Sequence, residues 1–208
     1  MRLYYHPLSS NSRRALMTAR HLGIPLDLVV VDLARGEQRL PAFLDTNPNG
    51  RVPVLVDDDG RVLWESRAIM QYLADRTPGQ TLYPQELHAR ADVNRWMFWC
   101  AAHFSPALAI FTWENVVKRL TGAGDPDPAE LKRGERLIAQ LAPVLDAHLA
   151  GRTWVAADRV TLADLSLAPP LALATPAVIP ITPYRHLLAW LARVQELDAW
   201  TKTTPPRP

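Results

Sequence analysis

Cysteine is almost absent from this sequence, since Cys100 is the single cysteine among 208 residues. One thiol allows neither an intrachain disulfide, nor a cysteine metal cluster, nor a Cys-x-x-Cys redox pair. We therefore expect a protein that holds no metal and is not a disulfide reductase. We expect Cys100 itself to be a buried, unreactive side chain within a helix.

An excess of one charge is also missing, because 23 lysines and arginines face 21 aspartates and glutamates, for a net charge of +2. A nucleic-acid-binding domain gathers its basic residues into a stripe, whereas the arginines here are scattered along the chain. We therefore expect no nucleic-acid partner.

Long apolar runs are missing as well. The most apolar stretch, from residue 165 to 181, contains four prolines and is too broken to span a bilayer. The first residues lack the apolar core of a signal peptide. We therefore expect a cytoplasmic protein without a membrane partner.

The first third of the chain alternates strand and helix patterns. The strands are expected at residues 3–6, 26–32, 52–57 and 61–64, and the helices at 12–22, within 36–47 and at 66–76. A right-handed βαβ unit followed by a further helix, a hairpin and a last helix (βαβαββα) gives a mixed four-stranded sheet with helices on its faces, a thioredoxin-like arrangement. The nearly continuous apolar run of residues 26–32 predicts a strand covered on both faces.

After residue 77 the sequence shows helix patterns only. We expect a first domain over 1–77, a linker over 78–86 and an all-helical domain over 87–208. The helices are expected at 87–119, interrupted near Ser105-Pro106, at 129–149, after Thr161 and at 183–194, with a frayed tail at 203–208. Thr161 and Asp164 predict a capping box at the start of a helix. Pro169-Pro170 should bend or shorten that helix.

Four segments resemble the serine-type glutathione transferases of the delta, theta, phi and zeta classes: Tyr4–Ala15, Asn47–Leu55, Leu63–Ile69 and Val160–Asp164. They occur in the family's order and at its separations, and they span both domains. The resemblance implies the glutathione transferase fold and a glutathione-dependent enzyme, of bacterial origin, that forms a homodimer. Its first domain would bind glutathione, and its helical domain would contribute the site of a small hydrophobic electrophile.

The reacting group of glutathione is its thiol, which has a free pKa of about 8.5 and is mostly protonated at neutral pH. A hydroxyl that donates to the thiolate favours the ionised form by about 1.5–3 kcal/mol. The resemblance places Ser9 at the family's thiolate-binding position, with Ser10 as the alternative, and leaves Ser12 as the N-cap of the following helix. Tyr4 and Tyr5 lie within the first strand, so we expect one ring in the core and the other facing outward.

Val52-Pro53 and Glu65-Ser66 are the expected glutathione-binding pairs. A cis peptide before Pro53 would turn the Val52 N–H and C=O outward to pair with the cysteinyl part of glutathione. Ser66 caps the next helix, and a helix N-terminus suits the γ-glutamyl carboxylate. Glu65 would attract the α-ammonium group.

Three further residues are candidates for glutathione binding. Gln38 stands where the delta class usually has histidine, at the glycyl end of glutathione. Arg51 is expected to bind the glycyl carboxylate or to be a surface residue. Arg67, which follows the Glu-Ser pair, is expected to bind glutathione or to be an exposed helix residue.

The co-substrate site is expected to include Leu8, His103, Phe104 and Phe111, because apolar and aromatic surface holds apolar electrophiles. Ordinary core packing is the alternative for these side chains, and we do not expect His103 to act as an acid or base.

Two other functions remain open. Ser9-Ser10-Asn11-Ser12 partly resembles the Ser-Ser-Cys-Ser loop of maleylacetoacetate isomerases, with Asn11 in place of the cysteine. A non-catalytic binding or scaffold protein can also use this fold. The presence of Ser9, Pro53, Glu65 and Ser66 together argues against the second alternative.

Overall fold

The computed structural model describes residues 1–204 of the chain. These residues form two compact units. The first comprises Met1–Tyr83 together with the residues from Glu196 onward, and the second comprises Pro84–Gln195. Within the described range, no helix is long and apolar enough to cross a membrane.

The first unit is built on one four-stranded sheet, in the order β2-β1-β3-β4. Its strands are β1 (Arg2–Tyr5), β2 (Asp27–Val30), β3 (Val54–Val56) and β4 (Val62–Trp64). β1 pairs in parallel with β2 and antiparallel with β3, and β3 pairs antiparallel with β4. The hairpin between β3 and β4 turns at Gly60, whose φ of 85° suits glycine.

The position of β2 corrects one prediction. The apolar run of residues 26–32 was expected to be a strand covered on both faces, but β2 is an edge strand that pairs with β1 alone. Leu28 and Val30 are accordingly 46% and 53% exposed. An apolar run does not reveal by itself how many neighbours the strand has.

Helices cover both faces of this sheet. They are α1 (Ser10–His21), α2 (Pro41–Leu44) and α3 (Ser66–Asp75), with a 3₁₀ turn at Glu37–Arg39 before α2. On one face, α1 and α3 bury Leu3, Ala15, Ala19, Leu55, Ile69 and Leu73. On the other face, Phe43 of α2 packs with Val31, Val52 and Val54. The predicted thioredoxin-like fold is confirmed.

The two strand tyrosines belong to opposite faces. Tyr4 meets Phe43 edge-on, with ring centroids 6.2 Å apart, and Tyr5 packs against the core of the α1–α3 face. Both rings are half-buried, so neither points freely outward as had been expected for one of them.

The described residues of the second unit form helices joined by loops, and they contain no strand. Its helices are α4 (Leu87–Trp99), α5 (Ser105–Thr112), α6 (Lys118–Thr121), α7 (Pro128–Leu149), α8 (Leu162–Leu167) and α9 (Arg185–Gln195). The expected break near Ser105-Pro106 is a π-helical turn at Cys100–Phe104, and a second π turn follows at Trp113–Val117. Pro106 lies just after the first of these π turns, and Phe104 and Ser105 keep helical dihedrals, so the helical path continues through the proline.

The capping box is confirmed at the start of α8. The Thr161 side chain accepts from the backbone of the first turn, and Asp164 accepts from the Thr161 N–H at 2.8 Å. α8 ends at Leu167, and Pro169–Leu173 continues as a 3₁₀ turn. The two prolines therefore shorten this helix as predicted.

The end of the described chain packs on the first unit. Its last helix, α10 (Asp198–Thr201), contacts α1. Arg13 of α1 donates from Nη2 to the Trp200 carbonyl at 3.0 Å and to the Thr204 hydroxyl at 3.3 Å, and from Nε to Thr203 at 3.4 Å. The prediction that the tail frays is thus wrong for Thr203 and Thr204, and residues 205–208 of that prediction lie outside the described range.

Candidate functional site

The loop after β1 places Ser9 at the N-cap of α1. Its Oγ accepts the Ser12 N–H at 3.2 Å, and its backbone is extended, as an N-cap requires. The prediction that Ser12 is the cap is therefore wrong. Ser12 is fully buried, and its Oγ accepts the His6 N–H at 3.2 Å. Because Ser9 caps with an oxygen lone pair, its hydroxyl proton is left to donate.

Ser10 is the first residue of α1 and is half-buried. Its hydroxyl makes no hydrogen bond within residues 1–204. The first N–H groups of a helix lack intrahelical partners and carry partial positive charge, so this end of α1 favours an anion.

The loop before β3 is organised by Asn47, which the sequence analysis did not single out. The buried Asn47 donates from Nδ2 to the Arg51 carbonyl at 2.7 Å. Its Oδ1 accepts from the Asn49 backbone at 3.1 Å and side chain at 2.9 Å. Gly50 has φ 59°, and a Cβ there would lie 3.1 Å from the Gln38 carbonyl oxygen. Asn-Pro-Asn-Gly is a turn pattern, which was the available signal.

The peptide bond between Val52 and Pro53 is cis, as predicted. Both side chains are buried, and Val52 packs in the core beneath the sheet. The N–H and C=O of Val52 make no hydrogen bond to any other described residue. They form a donor and acceptor pair that an extended peptide can bind.

The backbone is unusual where β4 meets α3. Glu65 has φ 72° and ψ 111°, a conformation that costs a residue with a side chain about 1–3 kcal/mol. Glu65 occupies the N-cap position, so the prediction that Ser66 is the cap is off by one residue, and the Glu65 side chain makes no capping hydrogen bond to α3. Ser66 is 4% exposed, and the Glu65 carboxylate has no ion-pair partner in the described range.

These loops surround one small pocket. Its walls are Asn11, Asn47, Asn49, Arg51, Val52, Pro53, Glu65 and Ser66. Five residues expected to bind glutathione thus lie together, beside Asn11 of α1. The pocket sits at the N-terminus of α3 and combines one cationic and one anionic side chain. Ser9 does not line this pocket, but it lies two residues before Asn11, which does.

Gln38 and Arg67 are not in the pocket wall. Gln38 lies in the 3₁₀ turn, where its Nε2 is 3.5 Å from the Leu33 carbonyl. Its Oε1 is buried without a hydrogen-bond partner among the described residues. Arg67 is half-buried in the first turn of α3.

The residues expected at the electrophile site differ in exposure. Leu8 is half-buried in the first unit, and His103 is exposed in a π turn of the second. Phe104 is fully buried and stacks on Trp99 at 5.2 Å. Phe111 is buried against Gly134, where an added Cβ would lie 2.8 Å from the ring. Phe104 and Phe111 therefore pack within the core of the second unit.

Cys100 is buried, as predicted, in the π turn after α4. Its Sγ lies 3.2 Å from the Ser105 hydroxyl and 3.5 Å from the Ser166 carbonyl oxygen. Across residues 1–204, no three His, Cys, Asp or Glu side chains are grouped to hold a metal ion.

Comparison with known proteins decides the family. The glutathione S-transferase N-terminal domain model matches residues 8–76, and the C-terminal domain model matches residues 96–198. The chain is 34% identical to glutathione S-transferase F10 of Arabidopsis thaliana, over 96% of this chain and 94% of that protein. The chain belongs to the glutathione S-transferase family.

Other glutathione S-transferases are similar over the same length. Glutathione S-transferase 3 of Zea mays is 35% identical, over 100% of this chain and 97% of the relative. The structure of glutathione S-transferase I bound with lactoylglutathione has a TM-score of 0.87 and 27% identity, covering 98% of this chain and 97% of that one. The fold and the transferase family predicted from the sequence are confirmed.

Proposed function

We propose that this protein is a serine-type glutathione transferase, which holds the glutathione thiol as a thiolate and transfers it to an electrophilic carbon of a small hydrophobic molecule. The observation that carries the proposal is the open N–H and C=O pair of Val52, in the same pocket as the N-terminus of α3. The similar structure that is bound with lactoylglutathione supports a glutathione ligand here.

The γ-glutamyl end of glutathione would lie at the start of α3. Its carboxylate would accept from the unpaired N–H groups of the first turn and from the Ser66 hydroxyl. The α-ammonium group would meet the Glu65 carboxylate. The strained Glu65 backbone is consistent with this role, because such conformations cluster at ligand sites.

The cysteinyl and glycyl parts would extend along the cis-proline loop. The cysteinyl backbone would pair with Val52 as a short added strand. Arg51 is the cation in the pocket wall, so we assign the glycyl carboxylate to it. Gln38 would complete that end when glutathione binds, whereas Arg67, in the first turn of α3, would lie near the γ-glutamyl end.

Ser9 would stabilise the thiolate. Lowering the thiol pKa by about two units takes about 2.7 kcal/mol. A hydrogen bond from a hydroxyl to a charged group contributes about 1.5–3 kcal/mol, and a helix N-terminus adds about 0.3–1 kcal/mol. Both sources meet at Ser9, because it caps α1. Serine acts here as a donor, since its own pKa is too high for it to take the thiol proton.

The test is glutathione titration by calorimetry on the parent, Ser9→Ala and Ser10→Ala, followed by ultraviolet absorbance of the bound thiolate against pH. We expect all three proteins to bind glutathione, and only Ser9→Ala to raise the bound thiol pKa, by about one unit or more. A raised pKa in Ser10→Ala instead would move the role to Ser10. A parent that binds no glutathione would favour a non-catalytic scaffold protein.

The protein would act as a homodimer. α4 exposes Leu87 and Phe98, which are 75% and 65% accessible and supply apolar surface for a second copy. Sedimentation of the purified chain that shows only monomer would contradict this.

The bacterial origin and the cytoplasmic location expected from the sequence stay predictions. Leu8 and His103 are the two expected electrophile contacts that keep accessible side chains.

A further inference from the structure

His6 receives every backbone donor of the loop that leads to Ser9. The loop comprises Pro7, Leu8 and Ser9, and proline has no N–H. The Leu8 N–H donates to the His6 side chain at Nδ1, at 3.3 Å, and the Ser9 N–H donates to the His6 carbonyl at 3.0 Å. His6 is half-buried at the end of β1.

The same residue is linked to Ser9 along a second route. The His6 N–H donates to Ser12 Oγ at 3.2 Å, and the Ser12 N–H donates to Ser9 Oγ at 3.2 Å. The Ser9 oxygen is therefore held in a closed ring of hydrogen bonds that passes through His6 and Ser12. Of these hydrogen bonds, a substitution of the His6 side chain removes only the one from the Leu8 N–H to Nδ1, because the other His6 hydrogen bonds use its backbone.

We propose that His6 is a positioning residue for the Ser9 hydroxyl, through the hydrogen bond that its Nδ1 accepts from the Leu8 N–H. The inference rests on the proposed function, in which Ser9 donates to the glutathione thiolate. His6 does not touch glutathione in this scheme. It fixes the loop so that the Ser9 oxygen and the N-terminus of α1 face the same point.

Only the neutral imidazole can act in this way, because both ring nitrogens of a protonated histidine are donors. Partial burial lowers the pKa of His6, and the Asp32 carboxylate opposes that shift. Asp32 is the charged group whose field reaches the ring, and it lies 3.5 Å from Arg35 Nε. His6 is therefore a neutral acceptor at neutral pH, and it loses this role as the pH falls through its lowered pKa.

Two substitutions separate the acceptor from the shape of the side chain. His6→Phe keeps a ring of similar size and removes the acceptor. His6→Asn supplies an oxygen that can accept the N–H two residues on, as asparagine does in turns, and it does not titrate. His88→Phe, at an exposed position of α4, is the matched control.

The measurements are the calorimetric Kd for glutathione, the thiolate absorbance of the complex and the kcat with chlorodinitrobenzene. We expect His6→Phe to lower kcat and the thiolate fraction about tenfold, and to raise the glutathione Kd by no more than about fivefold, the rise that loss of the bound thiolate itself causes. His6→Asn should recover to within about threefold, and His88→Phe should match the parent. A His6→Phe protein with the parental thiolate fraction overturns the inference, and so does a His6→Asn protein as impaired as His6→Phe.

A pH profile tests the inference even if His6→Phe does not fold. Below the ordinary histidine pKa of about 6.5, kcat/KM of the parent should fall more steeply than that of His6→Asn, because the parent loses both the thiolate and the acceptor. Parallel acid limbs overturn the inference while leaving the proposed function intact. A parent that does not bind glutathione at all removes the proposed function, and this inference with it.

Discussion

At the scale of single residues, Glu65 combines a backbone conformation of high free energy with a carboxylate that has no ion-pair partner among residues 1–204. Glu65 and Val178 are the two residues other than glycine with positive φ among residues 1–204. The Glu65 carbonyl accepts the Ile69 N–H at 3.0 Å, but the Glu65 side chain does not cap the helix, so the carboxylate gains no hydrogen bond from α3. The cost is understandable if the conformation aims the carboxylate at the ammonium group of a ligand.

Replacing Glu65 by Gln or Gly should separate binding from stability. Both variants lack the carboxylate, so we expect the calorimetric Kd for glutathione to rise about tenfold or more in each. Glu65→Gln should unfold at the parental denaturant concentration. Glu65→Gly should be about 1 kcal/mol more stable, because glycine tolerates positive φ. Parental affinity in Glu65→Gln would remove the ammonium-binding role.

Sequence motifs predicted some residues of the site and missed others. Val52, Pro53, Glu65 and Ser66 were singled out by motif, and they lie on one pocket. The role of Asn47 was missed, because its three hydrogen bonds depend on how its loop folds back.

At the scale of elements, the β3–β4 hairpin is tied to the C-terminal end of α3 by one carboxylate. Asp57 is 8% exposed and accepts hydrogen bonds from the Tyr72 hydroxyl and the Arg76 guanidinium. It also accepts the Asp58 N–H at 2.8 Å. The hydrogen bond from Tyr72 is the main reason that the pKa of Asp57 is lowered, with further help from Asp58 and Arg76.

This pairing predicts an acid-sensitive contribution to stability. A lowered folded-state pKa means that the unfolded chain binds more protons, so the contribution is complete above the ordinary aspartate pKa of about 3.9. It is lost as the pH falls through the lower folded-state pKa. We expect Asp57→Asn to be less stable than the parent near neutral pH, and the two curves of unfolding free energy to converge in acid.

The measurement is urea unfolding of both proteins from neutral pH into the acid range. Asp59→Asn, at an exposed position of the same hairpin, is the control and should follow the parent. Two parallel curves for the parent and Asp57→Asn would contradict the assigned role of Asp57.

Some features of the helices follow from neighbouring residues, whereas others depend on residues elsewhere in the chain. The capping box of α8 and the shortening of α8 by its prolines were predicted, because both follow from residues within one or two turns of each other. The cap of α1 was assigned to the wrong serine, since Ser9 and Ser12 are equally good capping types. The choice between them depends on the path of the preceding loop from β1.

At the scale of the whole molecule, the chain leaves the first unit after Tyr83 and returns to it at Glu196. The return is anchored on Arg13, which is 3% exposed and lies 3.7 Å from the centroid of the Trp200 ring. Burial lowers the pKa of Arg13 to about 10, so the guanidinium stays charged at neutral pH. Cation–π stacking and hydrogen bonds to the tail compensate part of the loss of water around this charge, while Arg13 Nη1 is buried without a hydrogen-bond partner among residues 1–204.

Trp200→Ala should therefore destabilise the protein strongly. Truncation of a buried tryptophan costs about 3 kcal/mol or more, and here it also removes the aromatic face under Arg13. Lys202→Ala, an exposed neighbour paired with Asp198, should change stability by less than about 1 kcal/mol. Urea unfolding of both variants checks this, and a Trp200→Ala protein as stable as Lys202→Ala would show that the return of the chain contributes little.

The sequence by itself determined the order of strands and helices, the capping box at Thr161 and the shortened α8. Each of these depends on residues close together along the chain, or on the missing N–H of proline. The cis peptide before Pro53 was expected from the family resemblance, because proline permits a cis bond but most X–Pro bonds are trans. The tertiary structure alone decided that β2 is an edge strand, that Ser9 caps α1 and that the tail packs on Arg13. Those outcomes depend on contacts between distant residues, such as Arg13 and Trp200, which are 187 positions apart, and no local pattern records such a contact.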